Sequence, residues 1–262
     1  MATAKKVQEK VASAAWPKNV TTLGIDIGGS GVKASVLDKD GQMITERVRQ
    51  DTPYPCPPKT LLATIDEVVT ALPKTNRVSV GFPGLVRDGV VVHVPSLSRL
   101  EYGGEEDPAM AAAWHGFDLA GELSEMFSLP TKVVNDADMQ GCAVAQGNGF
   151  EFVMTLGTGV GTAMFNDGKL LDHLELSHGP FKKSTFDLTL GNAGRKSLGK
   201  KKWAKFVLEA IGWFDEMLFF DTIYVGGGNA KHLDAATLPP KAEVVPNSAG
   251  ITGGVRVWDL AP

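Results

Sequence analysis

The sequence has almost no cysteine. It holds two, Cys56 and Cys142, far apart and in no metal-ligand spacing, which argues against a disulfide framework and a zinc cluster and favours a reducing compartment. It lacks an apolar run of the ~18 residues that a membrane span needs. The segment up to Trp16 carries lysines but no apolar stretch, so it does not read as a secretory signal. An excess of positive charge is also missing. The net charge of −4 argues against a general nucleic-acid binder. What is present is a globular composition, 43% apolar and 21% charged over 262 residues, enough chain to bury a core in one large or two small domains.

The chain is organised around Leu23-Gly24-Ile25-Asp26-Ile27-Gly28-Gly29-Ser30-Gly31-Val32-Lys33. An apolar strand carrying one acid runs into a glycine-dense turn. Glycines let backbone N–H groups approach phosphate oxygens, Ser30 adds a hydroxyl and Lys33 adds charge. Asp26 beside such a loop is a candidate for holding Mg²⁺, directly or through water. No register supplies the spacing of a Walker A loop. Gly29, Gly31 and Ala34 fit a dinucleotide fingerprint, but that motif opens a helix. Here Val32, Ala34 and Val36 alternate with Lys33 and Ser35, which predicts a strand to Leu37, and Met43–Val48 reads as another strand. The result is a phosphate-gripping hairpin. A hairpin without a ligand is the alternative, and it would leave Asp26 without a reason.

Further on, Leu61, Leu62, Ile65, Val68, Val69 and Leu72 have helical spacing, ended by Pro73. Arg77–Phe82 reads as a strand turned by Gly81-Phe82-Pro83-Gly84, a common place for ligand contact. Val90–Val94 is a strand. Residues 96–113, with acids concentrated in 101–107, read as a mobile acidic loop or lid. Phe117–Phe127 is helical. Thr131–Val134 is a strand that delivers Asn135-Asp136-Ala137-Asp138 to the sheet edge. One N-cap explains one carboxylate; Asp138 is expected to cap the helix or compensate its dipole, and Asp136 to do chemistry.

Phe150–Leu156, the loop Gly157-Thr158-Gly159-Val160-Gly161, Thr162–Phe165 and the turn at 166–169 repeat the layout of the first hairpin, which points to an internal duplication. Two such hairpins, one per lobe, suit a phosphate chain. In His173–Pro180, Glu175 and His178 are candidates for anchoring neighbouring hydroxyls of a polyhydroxylated substrate; a metal site there lacks a fourth ligand. The tract Lys182–Lys205 carries +7 in a chain of net −4, a segregation that suits an extended anion; a solvated helix face with snorkelling lysines is the alternative. Trp203–Phe220 is an amphipathic helix. The strand Thr222–Val225 runs into Gly226-Gly227-Gly228-Asn229, another place for close backbone approach. Val244-Val245 is a last strand, and Asn247-Ser248 caps a short terminal helix.

Taken in order, Asp26–Gly31, Gly81–Gly84, Asn135–Asp138, Leu156–Gly161 and Gly226–Gly228 resemble the motifs of the ROK sugar kinases. The segments 175–181 and 198–203 are similar to the polyphosphate glucokinase branch. The resemblance implies an α/β, two-lobed actin-like ATPase (ribonuclease H-like) fold with a hairpin in each lobe. Its expected divisions are an N-terminal extension (1–21), an N-terminal lobe (22–134, joined by a returning helix in 248–262) and a C-terminal lobe (135–247). It implies Asp136 as general base. Asn135, Glu175 and His178 are implied sugar ligands, and Gly84 is a further substrate contact. Gly28, Gly29, Ser30, Lys33, Gly157, Thr158, Gly159, Gly227, Gly228, Lys200 and Lys201 are the expected phosphate contacts, with Asp26 near Mg²⁺. The implied reaction takes a phosphoryl group from polyphosphate or ATP to the 6-hydroxyl of glucose or a related hexose, in a cytoplasmic homodimer with no nucleic-acid or membrane partner. Ser177 stands where the family usually has Gly, and Ser96 or Ser98 occupies the region of an expected sugar-contacting Asn. The alternatives are an ATP-dependent hexokinase for another sugar and a non-catalytic sugar-binding protein. A transcription regulator would need a DNA-binding motif in the 22 residues before Leu23.

Overall fold

The alternation after the first glycine loop does build a strand. In the computed structural model, which describes residues 16–245 and 249–261, β1 (Thr22–Gly28) and β2 (Gly31–Leu37) form an antiparallel hairpin whose register closes at Gly28 opposite Gly31. β3 (Val48–Gln50), β4 (Arg77–Phe82) and β5 (Thr131–Asn135) complete a five-stranded sheet of order β3-β2-β1-β4-β5. β4 runs parallel to both neighbours and is buried along its whole length, as a central strand covered on both faces must be. Helices α1 (Pro58–Val69), α2 (Pro108–Trp114) and α3 (Leu119–Phe127) accompany this sheet, and α4 (Asp136–Val144) follows β5 directly.

The second sheet repeats the first. β6 (Phe150–Leu156), β7 (Val160–Asn166), β8 (Lys169–Leu170), β9 (Thr222–Gly226) and β10 (Ala242–Val244) lie in the order β8-β7-β6-β9-β10. Position by position this is the same order, with the same pattern of antiparallel hairpin and parallel neighbours. α5 (Phe186–Leu190), α6 (Asn192–Leu198) and α7 (Lys200–Leu218) fall between β8 and β9. Trp203, Val207, Ala210, Ile211 and Phe214 form the buried face of α7 against a core rich in phenylalanine, where Phe152 meets Phe214 and Phe220.

The described residues divide into two units, 16–143 with 250–259, and 144–245 with 249, 260 and 261. α4, expected to open the second lobe, packs with the first unit. Gly81 makes room for it: a Cβ there would stand 2.7 Å from Met139 Cε and 3.3 Å from the Asp136 Cα. Residues 250–259 return to the same unit. Ser79 Oγ donates to the Gly254 carbonyl at 2.6 Å, Trp258 Nε1 donates to Ser79 Oγ at 2.8 Å, and Ile251 is buried with Leu37.

Several expectations need correction. Met43–Val48 is not a strand: Met43 makes one bridge to Leu37, and the strand begins at Val48. Thr45 Oγ1 accepts from the Val36 N–H at 3.0 Å, so a side chain replaces a ladder bond there. Residues 96–113 are in part helical. Asp107 accepts from the Met110 N–H at 2.9 Å and Pro108 takes the first helical position, a capped start for α2. α1 ends at Val69, short of Leu72, and α7 begins at Lys200, ahead of Trp203. The expected extension over 1–21 lies outside the described residues as far as residue 15, as does the Asn247-Ser248 cap.

Candidate active site

The register of the first sheet brings the motifs to one edge. Asp26 lies beside Gly81, Gly81 beside Val134 and Phe82 beside Asn135, at the C-terminal ends of the parallel strands, where ligands bind in open α/β sheets. Lys33 lies across the hairpin from Asp26, and its Nζ is 2.8 Å from Asp26 Oδ2. The acid in the apolar strand therefore has the partner that its position demands, and Lys33, expected on phosphate, is held by it.

The loop between them is tied down from one side. Thr52 Oγ1 donates to the Gly28 carbonyl at 2.6 Å, the Tyr54 hydroxyl lies 2.7 Å from the Gly29 carbonyl, and Arg49 Nη2 donates to the Ser30 carbonyl at 3.0 Å. Ser96 sits against Gly29, where a Cβ would meet its Cβ at 3.3 Å. Ser98 is fully buried, so Ser96 is the residue of that pair with access to solvent. Gly84 is explained by packing, because a Cβ would come within 2.4 Å of the His93 carbonyl.

Asn135 does structural work at both ends of its amide. Oδ1 accepts from the Ala137 N–H at 2.8 Å, and Nδ2 donates to the Gly84 carbonyl at 3.0 Å. The cap is thus Asn135, while Asp138, buried in the first turn of α4, keeps the dipole-compensating place that is its other expected role. Asp136 is half-buried as the first residue of α4. Its Oδ1 accepts from the Ala137 N–H at 2.9 Å.

In the second unit, Leu156–Gly159 meets Gly226–Asn229. The Gly157 carbonyl accepts from the Asn192 N–H at 3.1 Å and from Asn229 Nδ2 at 3.0 Å. The Val160 N–H donates to Asp187 Oδ1 at 2.7 Å. Gly227 has φ +83°, and a Cβ there would stand 2.5 Å from the Leu156 carbonyl oxygen, so no other residue fits. Glu175 lies between two histidines: its Oε2 is 3.8 Å from His178 Nε2 and its Oε1 3.7 Å from His173 Nε2. His178 is exposed, while His173 and Ser177 are buried.

The basic tract is not uniform. Lys182 pairs with Glu209 and lies over the rings of Phe181 and Phe206. Lys200 and Lys201 are exposed at the first turn of α7, after Gly199 with φ +75° and with no side-chain cap. Cations at the positive end of a helix are unfavourable unless an anion joins them. His232 has its basicity lowered by lost solvation first, and then by the charges of Arg195, Lys200 and Lys231. Sequence reasoning passed over Lys231 and His232, whose signal was their place directly after Gly226–Asn229.

Among the described residues, no group of three or more His, Cys, Asp or Glu side chains could hold a metal ion. Magnesium in phosphoryl transfer is typically held by one or two carboxylates, with waters and substrate phosphates as its other ligands. Asp26, a single carboxylate beside a glycine loop, suits that mode.

Residues 22–178 match the model of the ROK family. The chain is 29% identical over 246 residues to polyphosphate glucokinase from Mycobacterium tuberculosis (strain ATCC 25618 / H37Rv), covering 88% of each chain. Among solved structures it is similar to the inorganic polyphosphate/ATP-glucomannokinase from Arthrobacter sp. strain KM, with TM-score 0.74, 29% identity, and 90% and 97% of the two chains covered. The ROK family glucokinase from Streptomyces griseus shares the fold, with TM-score 0.66, 17% identity, and 90% and 98% covered.

Proposed function

The chain belongs to the ROK family, with its two-lobed, actin-like α/β fold, and from that membership we propose that it transfers a phosphoryl group from inorganic polyphosphate, or from ATP, to the 6-hydroxyl of glucose. The observation that carries the reading is the edge of the first sheet. There a half-buried carboxylate, Asp136, opens a helix next to a glycine loop whose carbonyls are tied away. Such an edge supplies a base and a cradle for an anion. The choice of donor and sugar rests on the likeness to the polyphosphate glucokinase and the glucomannokinase.

Phosphoryl transfer asks little covalent work of the protein, so positioning and charge do most of it. Asp136 accepts the proton of the attacking hydroxyl. In the first unit Asn135 is a sugar ligand, since beyond its structural bonds its amide keeps one N–H and one lone pair; in the second unit Glu175 and His178 are sugar ligands. In the first unit the loop Gly28–Ser30 is a donor-phosphate cradle, and in the second unit Gly157–Gly159 and Gly227–Gly228, with Lys200 and Lys201, are donor contacts of their own. Magnesium, held through Asp26, supplies neutralisation of the donor's charge when bound.

The test is a glucose phosphorylation assay with polyphosphate and ATP in parallel. Glucose 6-phosphate formed from polyphosphate supports the reading in full. Formation from ATP alone moves it to an ATP-dependent hexokinase, and formation from neither removes it. For the donor track, Lys200→Gln with Lys201→Gln is expected to raise the KM for long polyphosphate by ~10-fold at low salt. The gap should narrow as salt screens the exposed charges. An unchanged KM at low ionic strength would assign these lysines to the solvated surface.

A further inference from the structure

The first glycine loop is held by a neighbouring segment to which the mechanism has given no role. Thr52 and Tyr54, two residues apart, reach two successive loop carbonyls, those of Gly28 and Gly29, at 2.6 and 2.7 Å. In a trans peptide the carbonyl of one residue and the N–H of the next point in opposite directions. Holding these two carbonyls toward 52–54 therefore turns the N–H groups of Gly29 and Ser30 the other way. Successive N–H groups on one side of a turn make an anion-binding concavity. Glycine tolerates either sense of φ, so the peptides around Gly29 flip easily once unrestrained. A flipped peptide would present a carbonyl oxygen to the anion.

We propose that Thr52 and Tyr54 are positioning residues that aim the Gly29 and Ser30 amides at the donor phosphate. This rests on the phosphotransferase reading of the site. Three further features agree with it. Thr52 is buried, where a hydrogen bond is electrostatically stronger than in water. Burial also raises the pKa of the Tyr54 phenol, which keeps it a donor. The same hydroxyl lies 2.8 Å from the Ser96 carbonyl, so its single proton is shared between that carbonyl and Gly29's, both on the side of residues 52–54. The second unit does the same with different groups: Asn192 and Asn229 hold the Gly157 carbonyl, and the Asn192 N–H also reaches the Thr158 carbonyl at 3.0 Å. Both copies of the hairpin thus have their loop carbonyls tied away, by unrelated residues.

The experiment compares the full chain with Thr52→Val, Thr52→Ser and Tyr54→Phe. Thr52→Val and Tyr54→Phe should raise the donor KM about tenfold, the usual cost of a lost buried hydrogen bond, with the glucose KM unchanged. Thr52→Ser, which keeps the hydroxyl, should restore the donor KM. In parallel, ¹⁵N-labelled protein is titrated with inorganic tripolyphosphate. The Gly29 and Ser30 amide signals should shift in the parent chain and in Thr52→Ser, and shift less in the other two variants. If the parent chain phosphorylates no sugar, the kinase reading fails, while the amide shifts and their loss still support the positioning role. Variants that melt earlier yet keep the donor KM and the amide shifts overturn it, as does a parent chain whose two amides do not respond.

Discussion

Asp136→Asn is expected to lower kcat by about 10²–10⁴-fold, the usual worth of a general base, and to leave the fold intact. The reason lies in what the two side chains share. Asparagine keeps an oxygen where Asp136 Oδ1 accepts from the Ala137 N–H, so the start of α4 stays closed. Asn135 holds the same N–H from the other side, which makes the first turn doubly secured. The amide differs in that it takes no proton from a hydroxyl. Glucose affinity, measured by calorimetry, and the thermal midpoint should stay close to those of the parent chain, while steady-state turnover collapses in kcat. Near-parental turnover in Asp136→Asn would remove Asp136 from the chemistry. Asp138 would not replace it, because its carboxylate is buried.

Gly253→Ala is expected to cost about 3 kcal/mol of stability in the first unit, the upper part of the usual range for overpacking. A Cβ at this position would stand 1.8 Å from the Met139 carbonyl oxygen and 3.1 Å from the Ala143 nitrogen, both backbone atoms of α4. Helix backbone does not step aside as a side-chain tip does, so the returning segment must lift. Its lift strains the Ser79–Gly254 and Ser79–Trp258 bonds and draws Ile251 away from Leu37. At roughly 2–4 °C per kcal/mol for units of this size, the melting of that unit should fall by about 6–12 °C. Gly212→Ala is the matched control. It lies within α7, with nothing within 4 Å of an added Cβ, and should stabilise by up to about 1 kcal/mol. Equal midpoints for the two variants would contradict the packing argument.

Much of this was legible in the chain. Alternation at Val32–Val36 separated a hairpin from a Rossmann turn, and the echo at Leu156–Gly161 anticipated a second hairpin, though not the full sheet of the same strand order around it. The capped start of α2 was also readable, in Asp107-Pro108, but the surrounding acids drew the reading toward a loop. What stayed hidden depends on partners distant in sequence. Asn135 is a cap and a clamp because Gly84 lies beside it. Lys33 is drawn to Asp26 by register rather than by charge pattern. Thr52 and Tyr54 look like turn residues until the loop carbonyls are placed opposite them. The strand expected at Met43–Val48 failed because the Thr45 hydroxyl competes with the ladder, a local substitution that hydropathy does not register.

The return of residues 250–259 to the first unit sets an order of events on the ribosome. The second unit is made of nearly uninterrupted chain and can close once α7, β9 and β10 have emerged. The first unit is begun earlier but finished later. Ser79 waits 175 residues for the Gly254 carbonyl, and Leu37 waits longer still for Ile251. Domains fold as units while synthesis proceeds at about 5–20 residues per second. The unit translated first therefore holds an uncovered apolar patch for on the order of ten seconds or more, the interval in which a nascent-chain chaperone has something to hold.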